Sequence, residues 1–156
     1  MNELNRKDFL KAAGAGSAAV AVGAGLPLTK HVLDHRGQLS FSAATGLPAP
    51  PLPSYATQIV EGKVDLTRGS GLVTSRVLAG HPGDTSLVGL PGLSRMIRIT
   101  EVDADSQRVR LRGVVEDRSQ LRPGESPRVE IVVDRRHGVV KAPFLGRQLD
   151  HQRIEA

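Results

Sequence analysis

The stretch Arg108-Val109-Arg110-Leu111-Arg112 alternates charged and apolar side chains without a break. In an extended chain successive side chains point to opposite faces, so this run carries guanidiniums on one face and Val and Leu on the other. Arg128-Val129-Glu130-Ile131-Val132 repeats the alternation. Working outward, residues 96–102 and 108–115 flank the polar turn Asp103-Ala104-Asp105-Ser106-Gln107, and residues 128–133 and 139–142 flank Asp134-Arg135-Arg136-His137-Gly138. A third pair of runs, 57–66 and 72–78, flanks Thr67-Arg68-Gly69-Ser70-Gly71. Asp, Ser and Gly stand where tight turns need them. Three consecutive hairpins predict an all-β fold, a small antiparallel barrel or sandwich of about six strands.

The composition fits that reading. A chain of 156 residues is long enough for one domain and short for two. With no Trp, one Tyr and three Phe, its core must be built from Val, Leu and Ile, which suit strands. The net charge is +5, yet residues 95–136 hold ten Arg against eight Asp and Glu, so the signs are interleaved. A nucleic-acid surface is more one-sided and adds stacking aromatics, and no nucleic-acid partner is expected. The absence of Cys rules out disulfides, thiolate metal sites and a thiol nucleophile.

The N-terminus follows a different plan. Asn5-Arg6-Lys7-Asp8-Phe9-Leu10-Lys11 precedes seventeen uncharged residues, 12–28, of which seven are Ala and four are Gly. A basic segment ahead of a short, weakly apolar run is the layout of a targeting peptide. As a helix the run would reach only about 26 Å, at the lower limit for spanning a bilayer. Arg6, Phe9, Leu10 and Lys11 fall in register with the motif of twin-arginine translocation signals, and the segment resembles that family, with Lys7 in place of the second Arg and Asn5 in place of Ser or Thr. The resemblance implies a bacterial protein exported to the periplasm, cell envelope or exterior. It also implies the twin-arginine translocation machinery as a partner. Membrane contact is then expected only through the signal segment, as a tether if the signal is not cleaved.

The expected organisation is a signal over residues 1–28, a linker over 29–54, a β domain over 55–145 and a polar tail over 146–156. The linker includes Gly46-Leu47-Pro48-Ala49-Pro50-Pro51-Leu52-Pro53, a Pro-rich spacer. Within the domain, the Gly- and Pro-rich loop 80–92 holds His81, Asp84, Thr85 and Ser86. A hydrolase could draw a base from His81 and a nucleophile from Ser86, with Asp84 nearby, provided the three converge in space. His-Pro-Gly-Asp is also a plain turn sequence, and these are weak site candidates. His31 and His35 are four apart but lack the Glu of a metalloprotease motif, and no metal or other cofactor is expected. Glu116-Asp117 and the pair Asp103 and Asp105 fall at strand ends or turns, where carboxylates serve local roles. The leading expectation is a non-catalytic exported β domain that binds an envelope partner or serves structurally. The alternatives are a small exported hydrolase working through the His81 loop and an accessory subunit exported with a cofactor-bearing enzyme.

Overall fold

The computed structural model describes residues 37–47, 55–82 and 88–153. The signal motif, His31, His35, the Pro-rich run from Pro48 to Ser54, and Asp84, Thr85 and Ser86 lie outside the described residues. The strands are β1 (Gln38–Leu47), β2 (Ala56–Asp65), β3 (Ser70–Ala79), β4 (Val88–Gly89), β5 (Arg95–Ala104), β6 (Arg108–Val115), β7 (Arg128–Asp134), β8 (Val139–Phe144) and β9 (Arg147–Arg153). All but β4 form a closed antiparallel barrel in the order β1-β2-β3-β5-β6-β7-β8-β9, with β9 returning to β1. The short β4 pairs with Leu78 and Ala79 of β3, beyond the end of β5 on the same edge. Of barrel and sandwich, the barrel is the form realised, with eight strands in place of about six.

The three expected hairpins are β2–β3, β5–β6 and β7–β8, and each turns on an Asp. Asp65 Oδ1 accepts from the amides of Thr67 and Arg68 at 2.9 and 2.8 Å. Asp105 Oδ1 accepts from Gln107 and Arg108 at 2.7 Å each, and Asp134 Oδ1 accepts from His137 at 3.0 Å. Amide donors favour the ionised carboxyl, so Asp105 titrates below the ordinary Asp value. The side chain and then the backbone amide of His137 lower Asp134 to about 2.

The two added strands lie where linker and tail were expected. β1 falls inside residues 29–54, with Leu39, Phe41 and Ala43 buried and Ser40 and Ser42 facing outward. β9 falls inside residues 146–156, with His151 fully buried. Both have the period of a strand but little apolar mass, and closure of the barrel, not local propensity, holds them in place.

The main core gathers Leu39 and Phe41 from β1 with Val73, Ile97, Leu111, Ile131 and Val140 from across the barrel. Gly62 pairs with Phe41, and a Cβ there would run into the Phe41 ring, so the glycine makes room for that ring. A smaller cluster, Leu47, Ala56, Val77 and Leu93, closes one end. Between the two clusters lies a polar layer. Val73 and Val77 bracket Ser75, Val60 and Ala56 bracket Gln58, and Ile97 and Leu93 bracket Arg95.

Candidate functional site

The barrel wall is uneven. β2 pairs with β1 and with β3 over its full length from Ala56 to Asp65. Among the described residues, β7 and β8 pair from Val132↔Lys141 to Asp134↔Val139, and β9 meets β1 at Ala43↔Arg153 and Ala44↔Gln152. Beyond Val132 the two strands part, and a slot of about 190 Å³ opens between them into the polar layer. Side chains take up the backbone groups that the parted ladder leaves over. Gln58 Nε2 donates to the carbonyl of Pro143 on β8 at 3.2 Å, and Gln148 Nε2 donates to the carbonyl of Glu130 on β7 at 3.1 Å. Ser126 Oγ donates to the carbonyl of Arg128 at 3.0 Å and accepts from its amide at 3.1 Å. Pro143 suits this position because it has no N–H to offer a neighbouring strand.

Arg95 lies at the floor of the slot, nine-tenths buried. Its Nη1 donates to the carbonyls of Gly92 and Ser94 at 2.9 and 3.0 Å, and its Nη2 to Glu125 Oε2 at 3.3 Å. Its Nε is buried with no hydrogen-bond partner. Glu125 belongs to the turn Arg122-Pro123-Gly124-Glu125, where Gly124 has φ 84° and Pro presets the preceding residue. The same Oε2 accepts from the amide of Arg122 at 3.0 Å. The loop after β6 is thereby pinned to the barrel interior through one buried ion pair.

Beside Arg95, Ser75 Oγ accepts from Gln58 Nε2 at 2.8 Å. Gln58 Oε1 lies 3.0 Å from His151 Nε2, and His151 Nδ1 donates to the carbonyls of Val140 and Leu149 at 3.1 and 3.0 Å. With Gln58 so oriented, both ring nitrogens face acceptors, an arrangement that suits the imidazolium. Burial acts in the opposite direction and dominates, holding the His151 pKa below the ordinary value despite the two carbonyls and the nearby Asp150. The neutral ring keeps its proton on Nδ1, because carbonyls cannot donate.

Of the sequence candidates, only His81 is among the described residues. It is exposed, with Nδ1 2.8 Å from the carbonyl of Pro82 and its ring 6.0 Å from that of Tyr55, and it does not line the slot. Sequence reasoning missed Gln58, Ser75, Arg95 and His151. Their signal was phase: Gln58, Ser75 and Arg95 each share the inward parity of the Val and Ile residues two positions away.

The outer face of β5, β6 and β7 differs in kind. Arg112 bridges Glu101 of β5 at 2.6 Å and Glu130 of β7 at 3.3 Å, and Arg110 bridges Asp103 at 3.9 Å and Glu130 at 3.7 Å. The guanidiniums that the alternation places outside are matched across strands by carboxylates, a solvated ladder that contributes little to stability. Among the described residues, no three His, Asp or Glu side chains converge as metal ligands. No family model, curated protein or solved structure matches this chain.

Proposed function

We propose that this chain is an exported, non-catalytic β-barrel protein of the bacterial envelope or exterior, and that it binds through the slot between β7 and β8. The observation that carries the binding half of this reading is Arg95, nine-tenths buried and paired with the half-buried Glu125, lining an opening in the wall. The pair ties the loop after β6 to the barrel and leaves Arg95 with N–H groups to spare beside the slot. Export rests on the basic segment Arg6-Lys7, the Phe9-Leu10-Lys11 continuation and the Ala/Gly-rich run behind it. The twin-arginine translocation machinery would be the first partner, and an envelope protein or small ligand at the slot the second.

Fractionation tests the export half. Replacing Arg6→Gln and Lys7→Gln together should trap the precursor in the cytoplasm, because the signal loses both of its paired charges. If the double variant reaches the exterior in unchanged amount, the twin-arginine assignment is wrong.

A further inference from the structure

We infer that the slot takes a small aliphatic monocarboxylate, its carboxylate toward Arg95 and its tail along the apolar wall; this rests on the reading of the slot as a binding site. Three features of the slot select that chemistry. The first is the unfinished guanidinium. Arg95 is nine-tenths buried, yet three of its five N–H groups account for all of its hydrogen bonds, and its Nε is buried without an acceptor. A guanidinium that lines an opening with N–H groups to spare finds its best acceptor in an anionic oxygen.

The second feature is charge. Arg95, Arg128 and Arg147 line the slot against Glu125 and Glu130, three positive groups against two negative. Glu125 is held by Arg95, and Glu130 is shared between Arg110 and Arg112 on the outer face. Arg128 and Arg147 are exposed at the rim and have no ion pair among the described residues. The slot is therefore poised for one negative charge; a dianion such as a phosphate monoester would bring one more than it can match, alongside two carboxylates.

The third is shape and polarity. Ile97, Val115, Val129 and Pro143 supply an apolar wall that a bare inorganic anion would leave unused. The volume of about 190 Å³ compares with the roughly 150 Å³ cavity that accommodates benzene, so a ligand of about six to ten non-hydrogen atoms fits. The Ser75 hydroxyl, at the inner end, can donate a second hydrogen bond to a carboxylate whenever Gln58 donates to its oxygen.

The test is an amide-shift titration of the full chain with three probes of one size: pentanoate, pentanol and pentylamine. Pentanoate should shift the amides of Ser75, Val129 and Gln148 saturably, with a dissociation constant of roughly a millimolar, as expected for so few atoms. Pentanol and pentylamine should leave them in place at the same concentration. Arg95→Lys keeps a charge for Glu125 but removes Nε, and should abolish the pentanoate response. Arg128→Gln with Arg147→Gln changes only exposed rim charges, so it folds even if the Arg95 variant does not, and should weaken pentanoate about two- to fivefold. If pentanol or pentylamine shifts these amides as readily as pentanoate, the slot binds but does not select a carboxylate, and the inference falls alone. If none of the three moves them at about tenfold above a millimolar, the inference falls and the slot reading loses its small-ligand form.

Discussion

The two halves of the barrel wall are built on different terms. From β1 through β3 and from β5 through β7 the strands pair along most of their length, and the residues they turn inward are mainly aliphatic. The β8–β9 hairpin is paired well within itself but joined to β7 and β1 by short ladders. His151 of β9 points inward there and meets a polar layer that Gln58, Ser75 and Arg95 send across the interior from β2, β3 and β5, and glutamine side chains replace strand-to-strand hydrogen bonds. Complete ladders let the interior be apolar, because backbone groups satisfy one another. Where a ladder parts, its leftover carbonyls need donors, and polar side chains must come inside to supply them. A barrel that gives up part of its wall thereby gains a polar pocket.

The contrast can be broken by mutation. Leu111→Ala, in the fully paired half, should lower unfolding free energy by about 2–5 kcal/mol and weaken amide protection across the whole barrel together. Chemical denaturation combined with hydrogen exchange reads both effects. A loss confined to β6 would show that this half is not the common core. Gln58→Leu removes the donor to Pro143 and the partner of His151, and should cost about 1–3 kcal/mol. Its exchange signature should be local, with the amides of β8 and β9 losing protection while those of β5 and β6 keep theirs. Uniform loss would mean that the seam is no weaker than the rest.

The smallest expected effect is a pH dependence. His151 has a folded pKa below its ordinary 6.5, so as pH falls through that value the unfolded chain takes up the proton first. Stability should therefore decline from pH 7 toward pH 5 and level off below the folded pKa. The lowered pKa values of Asp134 and Asp105 act elsewhere: their contribution is present above 3.8 and is lost only as pH falls below it, toward about 2 for Asp134. His151→Gln, measured by denaturant midpoint at pH 5 and pH 7, should flatten the upper slope. An unchanged slope in that variant would assign the dependence to another group.

The sequence announces the three hairpins and conceals the two strands that close the barrel. The hairpins over β2–β3, β5–β6 and β7–β8 are legible because alternation and turn residues coincide, as in Arg108-Val109-Arg110-Leu111-Arg112 beside Asp105. β1 is hidden by its neighbours: Ser40 and Ser42 separate Leu39, Phe41 and Ala43, and a Pro-rich run follows closely. β9 offers only Leu149 and His151 to the interior, too little apolar area to stand out from a polar tail. The slot residues are harder still to read. A polar residue inside a strand is assigned to the outer face by default, and Arg95 looks like the charged end of a strand until its phase with Ile97 and Ile99 is counted. The loop at His81 drew attention because loops are where sites are usually sought, whereas this slot lies in a strand wall.

The junction of β1 with β9 has a kinetic consequence. Ala43 meets Arg153 and Ala44 meets Gln152, so closing the barrel joins residues at opposite extremes of the described chain. Among the described strand pairings, this one joins the segments farthest apart in sequence and so carries the largest chain-closure entropy. On these grounds closure should come late in folding, a delay that pulse-labelled hydrogen exchange would read as late protection of the β1 and β9 amides.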